Sequence, residues 1–213
     1  MSQTPATDNR PRRSDAVRNR AAVVRAAAEV FADKGLDAGV PEIAARAGVG
    51  KATVYRSFPT KEHLVAAVAC QHLQWIAARV GEALDADDPG AAFEEVMTSI
   101  AERQAKDSAV AGSLAADIHL PELDEARRTL NAAFDALIER ARGAGALRPD
   151  ATRDDLHVLF TGVASVLRAR GEHDAAVWRR HAELIVDALR PRATPERRAR
   201  RTRPVRTAAT PRA

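Results

Sequence analysis

Between Pro41 and Phe58 the chain reads PEIAARAGVGKATVYRSF, two apolar-periodic segments of about two turns each, parted by Gly48. Pro41 suits a first helical position, and Val40, Ile43, Ala44 and Ala47 form the buried side of the first segment. A helix resumes near Gly50. At roughly 100° per residue, Val54 and Phe58 fall on its core side with Gly50, Ala52 and Arg56 point the other way, and Thr53 and Tyr55 flank them. Lys51 lies in the first turn, where its stem reaches outward. Ahead of this pair, Val17, Ala21, Val24, Ala28 and Phe31 mark one face of a longer helix from Ala16 to Lys34, with Ser14 as its cap and Gly35 as its stop. Two short helices joined by a glycine turn and braced by a longer one make a helix-turn-helix, whose second member is the expected reader of a DNA major groove. Any helical bundle can contain a glycine turn, so spacing alone leaves DNA binding open.

The same segment resembles the DNA-binding domain of the TetR family of bacterial transcriptional regulators. The matching residues are Ala28, Phe31, Gly35 and the run EIAARAGVGKATVYRSFPTKEHLVAAV from Glu42 to Val68. The resemblance implies that Thr53 and Tyr55 place hydroxyls on phosphates and that Lys61 holds the DNA backbone at the start of the fourth helix. Lys51, Ala52 and Arg56 are the candidates for base edges, since a cation donates to guanine O6 and N7 and a methyl touches the thymine methyl. Arg56 serves equally well on a phosphate. The link before the second helix is one residue shorter than in many members. Gly50 stands where many have Ser, and Ala52 where many have Gly.

Charge supports a polyanion-facing end. The chain carries +4 overall, yet residues 66–190 hold 14 basic and 21 acidic side chains, while residues 191–213 hold eight arginines and one glutamate. Residues 1–14, containing RPRRS, read as a disordered basic arm near the DNA, and 191–213 as a disordered tail with four prolines. Between them, 15–65 form the DNA-binding domain and 66–190 a helical regulatory and dimerisation domain. The whole is expected to be all-α.

Further helices are expected from Thr60, as N-cap, through Leu84 with Leu64, Val68, Gln71 and Trp75 on one stripe, then over about 90–103, 110–119, 122–142, 153–170 and 175–189. The stripe Leu156, Leu159, Phe160, Val163 and Leu167, with Val177, Trp178, Leu184, Ile185 and Leu189, is wide enough for a four-helix homodimer seam, or for the body's own core. In the family it resembles, the body encloses a small-molecule pocket whose occupancy alters the separation of the two recognition helices. Trp75, Met97, His119, Phe134, His157 and Phe160 are the candidates to line it, each also readable as plain core or surface.

Several classes receive no support. The single Cys70 rules out an intramolecular disulfide or a thiolate zinc cage, and the six histidines lack metal-site spacing. No stretch is apolar enough for a membrane span and the first residues lack a secretory segment, so a cytoplasmic location is expected. No phosphate loop, catalytic triad motif or cofactor signature is present, so an enzyme is not expected. The functional expectation is a dimeric repressor released from a palindromic operator by a ligand. Its rival is a general nucleic-acid binder driven by the basic tails.

Overall fold

The computed structural model describes residues 10–106 and 118–192. Eight helices, and no strand, occur among the described residues: α1 (Arg10–Lys34), α2 (Val40–Arg46), α3 (Lys51–Ser57), α4 (Lys61–Leu84), α5 (Pro89–Lys106), α6 (Pro121–Gly143), α7 (Arg153–Ala169) and α8 (Ala175–Leu189). The all-α expectation holds. The helix expected over 110–119 falls almost entirely on residues 107–117, outside the described residues. Ile118 and His119, at its end, are not helical.

The first core joins α1, α2, α3 and the start of α4. Val23, Ala27, Val30 and Phe31 from α1 meet Val40, Ile43 and Ala44 from α2, Val54 and Phe58 around α3, and Leu64, Val65 and Val68 from α4. The glycines that punctuate this unit are required by their backbones. Gly35, at φ +75°, donates its N–H to the Phe31 carbonyl at 2.9 Å and stops α1. Gly48, at φ +68°, closes α2 with two bonds: its own N–H to Ala45 O at 3.2 Å and that of Val49 to Ala44 O at 3.0 Å. This pair of hydrogen bonds satisfies terminal carbonyls that a helix end otherwise leaves orphaned, and aims the chain into α3.

The second core is built on the rest of α4. Ala69, Leu73, Ile76, Val80 and Ala83 pack with Phe93, Val96, Met97 and Ile100 of α5, Leu123, Leu130, Leu137 and Ile138 of α6, Leu156 of α7 and Ile185, Val186 and Leu189 of α8. Arg140 of α6 ties down the C-terminus of α4, donating to the carbonyls of Ala83, at 3.0 Å, and Ala86. Thr152 and Asp155 form a reciprocal cap on α7, and the hydrogen bonds from Thr152 hold the Asp155 carboxyl below the usual carboxylate range. Thr60 caps α4 as expected, accepting from the His63 N–H at 3.5 Å.

Three sequence expectations require correction. α1 begins at Arg10, so Ser14 lies inside the helix rather than at its cap. Val17 is 69% exposed and Ala21 is also exposed, because the first turns of α1 project past the core and burial begins at Val23. On α4, Gln71 faces solvent, and the buried stripe is the neighbouring one through Ala69, His72, Leu73, Ile76 and Val80. The rotated stripe buries His72, which is only 1% exposed.

Two consequences follow for stability. Gly48→Ala forces a Cβ into the left-handed region and should destabilise the protein by about 1–2 kcal/mol, read as a lower urea midpoint at unchanged m-value. Burial, and after it the charge of Arg103, push the His72 imidazole down to about 4. Below the ordinary histidine pKa of about 6.5 the unfolded chain therefore binds a proton that the folded chain refuses, so stability falls as pH drops from about 6.5 toward 4. Between pH 7 and pH 5 this should remove about 2 kcal/mol from the urea-unfolding free energy, and His72→Leu should flatten that slope.

Candidate nucleic-acid interface

The recognition surface starts from what α3 buries. Val54 is 1% and Phe58 2% exposed, and these two side chains fix the rotation of the helix about its axis. Lys51, Ala52, Tyr55 and Arg56 are consequently turned to solvent, with Thr53 and Ser57 half-buried at the margins. Tyr55, the chain's only tyrosine, is 49% exposed. Lys61 follows in the first turn of α4, half-buried. Gly50 precedes the helix in extended conformation and provides no side-chain cap. All six predicted contact residues thus lie on two adjacent helices separated by three residues.

Polar contacts tie this unit to α1. Arg20 donates to the Ser57 carbonyl at 2.9 Å, and its guanidinium carbon stands 4.2 Å from the centroid of the Phe58 ring. One side chain thus satisfies a C-terminal carbonyl of α3 and covers the ring that anchors it. At the end of α2, Arg46 reaches back to Glu29 at 2.8 Å and Asp33 at 3.6 Å, while Lys34 pairs with Glu42. The hydrogen bond from Lys34 holds the Glu42 carboxyl below its ordinary range, and that to Glu29 raises the Arg46 pKa. These groups are exposed, so each pair adds little to stability and serves mainly to set orientation.

The electrostatic division is informative. Arg20, Lys34 and Arg46 are engaged within the protein, whereas among the described residues neither Lys51 nor Arg56 has a carboxylate within salt-bridge distance. Two cations are left for an external anion or base edge, beside the Thr53 and Tyr55 hydroxyls. Arg20 is absent from the sequence-derived set. No spacing rule joins residues 37 positions apart, and its only signal was a cation late in the exposed half of α1.

The residues proposed for a ligand pocket separate into two groups. Met97 is buried in the body core, and Trp75, Phe134 and Phe160 are half-buried against it. His119 and His157 are exposed instead. His119 precedes α6, with its Nδ1 3.7 Å from Asp124, and His157 lies about 100° around α7 from the buried Leu156. Next to Trp75 is the residue that spacing failed to single out, His72, whose ring centroid is 6.2 Å from that of Trp75. Arg103 covers the same Trp75 ring at 4.4 Å. Among the described residues no group of three metal-ligating side chains occurs, and no helix is long and apolar enough to cross a membrane.

Comparison with known proteins agrees with this geometry. Residues 23–68 match the family described as bacterial regulatory proteins, tetR family, and residues 88–191 match the SbtR-like C-terminal domain of transcriptional regulators. The uncharacterized HTH-type transcriptional regulator Mb2274c of Mycobacterium bovis is 30% identical over 153 residues, covering 69% of this chain and 79% of that protein. Two crystal structures of TetR regulators are similar. SCO0520 from Streptomyces coelicolor shows 29% identity and a TM-score of 0.62, over 82% of this chain and 99% of its own. A regulator from Mycobacterium vanbaalenii shows 34% identity and a TM-score of 0.58, over 84% and 99%. With a clamped helix-turn-helix ahead of a helical body and both halves matched, the chain belongs to the TetR family, a family of DNA-binding transcriptional regulators and not of enzymes.

Proposed function

We propose that the chain acts as a homodimeric repressor that binds a palindromic operator through α3 of each protomer and is released by a small-molecule ligand. The observation that carries this reading is the outward face of α3: two uncommitted cations and two hydroxyls on a helix whose rotation is fixed by Val54 and Phe58. Thr53, Tyr55 and Lys61 bind phosphates and set the register, while Lys51, Ala52 and Arg56 meet base edges.

Dimerisation through α7 and α8 draws support from exposed apolar side chains. Val158 is 68%, Leu159 37%, Val166 49% and Leu184 52% exposed. Of these four, Leu159 and Leu184 belong to the predicted seam; its Phe160, Val163 and Val177 are half-buried, and Leu156, Leu167, Trp178, Ile185 and Leu189 are buried in the protomer's own cores. A two-fold pair of α3 helices reads two half-sites, which multiplies specificity beyond that of one short helix. A ligand that favours the incompetent spacing by about 3 kcal/mol weakens operator binding by roughly two orders of magnitude.

Selection of bound duplexes from a random pool, at near-physiological salt, tests the reading with the full chain and with a chain ending at Arg190. A shared palindromic consensus is expected from both. Affinity that survives scrambling of the consensus and collapses on removing residues 191–213 would favour the tail-driven, non-specific alternative. Within the selected site, Tyr55→Phe should weaken binding to all duplexes alike, whereas Arg56→Ala should cost about 1–3 kcal/mol and also relax preference at one position per half-site. Competition binding against a panel of single-base variants measures both effects.

A further inference from the structure

We propose that two copies of α7 cross antiparallel on a two-fold axis at Gly162, with Val158 against the partner's Val166 and Asp154 paired with the partner's Arg170. The proposal rests on the homodimeric reading above and adds to it the residues and the orientation of the seam.

The first observation is an apolar face that the protomer leaves uncovered. Leu156, Ala164 and Leu167 turn one side of α7 into the body. On the other side Val158, Leu159 and Val166 are exposed around an exposed Gly162. At roughly 100° per residue, Val158 falls about 40° to one side of Gly162 and Val166 about 40° to the other. The three form one i, i+4 ridge, the kind of row through which packed helices most often interdigitate.

The second observation is the glycine at the middle of that ridge. Gly162 lies inside α7, where no turn requires it, and a Cβ added to it would meet no atom of the protomer within 4 Å. Glycine weakens a helix interior, and alanine would fit the protomer equally well. What glycine adds there is close approach of a second backbone, with the valines as knobs on either side.

The third observation fixes the direction. Asp154 and Arg170 stand eight residues before and after Gly162, about 12 Å along the helix in each case, and both are exposed. Among the described residues neither has an opposite charge within salt-bridge distance, whereas nearby cations are committed: Arg148 to Asp150, Arg153 to Asp135, and Arg190 to Glu94 and Asp187. A parallel pair through Gly162 sets Asp154 against the partner's Asp154 and Arg170 against the partner's Arg170. An antiparallel pair sets each Asp154 against the partner's Arg170, giving two ion pairs that flank the valines as charges flank a coiled-coil seam. Every such contact occurs twice, as an isologous interface requires. Beside the ridge, Val158, Leu159 and Ala188 line an open groove of about 630 Å³ between the start of α7 and the end of α8, with room for side chains of the second copy. Arg192 lines the same groove, so a pair between Asp154 and Arg192 within one protomer is the competing assignment.

Sedimentation equilibrium of the full chain tests the seam. The parent should dimerise in the micromolar range. Asp154→Arg and Arg170→Asp should each raise the dimer Kd about tenfold or more, and the double variant should return it to within about threefold of the parent. A pair between Asp154 and Arg192 does not permit that rescue. Gly162→Leu should also raise the Kd about tenfold or more, with circular dichroism unchanged, since the protomer has room for the side chain. If Gly162→Leu does not fold, the charge variants decide the matter. Failure of the double variant to recover, or a Gly162→Leu dimer as tight as the parent's, would overturn this crossing and leave the homodimeric reading standing. A parent that stays monomeric throughout the micromolar range would overturn both.

Discussion

A seven-residue helix has no appreciable stability of its own in water, so α3 exists only because Val54 and Phe58 are buried against α1, α2 and α4. Everything the DNA-binding unit presents follows from that burial. With the inner side fixed, Lys51, Ala52, Tyr55 and Arg56 have only solvent to face. Full burial of Phe58 contributes on the order of 1.5–3 kcal/mol, more than the surface pairs around it are each worth. Arg20 adds direction to this hydrophobic anchor. Its bond to the Ser57 carbonyl and its position over the Phe58 ring fasten the end of α3 to α1, which leaves the reading helix rigid relative to its scaffold. Rigidity matters for readout, because a hydrogen bond to a base edge discriminates only when its donor is held in place.

α4 connects this unit to the body. Its first half contributes Leu64, Val65 and Val68 to the DNA-binding core, and its second half contributes Leu73, Ile76, Val80 and Ala83 to the body core. Ile118 packs against both cores as well, and Arg127 of α6 donates to its carbonyl at 3.1 Å. Close-packed elements shift as units rather than deform continuously, so a displacement of α4 within the body has to be accommodated in the orientation of the domain it carries. In the proposed dimer, this continuity is the physical route between a ligand in the body and the spacing of the two recognition helices.

Much of this architecture was legible in the sequence, for identifiable reasons. The glycine stops worked because Gly35 and Gly48 occupy backbones that other residues adopt only under strain. The inner and outer sides of α3 were readable because seven residues leave little room for error in the helical phase. Phase failed on longer helices: a stripe through Gln71 and one through His72 differ by a single position on α4, and alanines on both sides weaken the contrast. α1 was misread at its start because periodicity marks an amphipathic face whether or not a core is present to cover it, as Val17 shows. Arg20 was invisible because its partners at 57 and 58 depend on how the helices pack. In the candidate pocket, large side chains on apolar helices were a usable guide to Trp75, Met97, Phe134 and Phe160. They were a poor one for His119 and His157, whose polarity is satisfied at the surface.

In the proposed complex, α3 reads DNA from the major groove as one of a two-fold pair. Methylation interference on the selected duplex tests it directly, since dimethyl sulfate modifies guanine N7 in the major groove and adenine N3 in the minor groove. Interference from guanine N7 is expected in two patches, related by the centre of the site and separated by about one helical turn or a multiple of it. Interference confined to adenine N3, or scattered without two-fold symmetry, would contradict it and remove α3 from the role of reader.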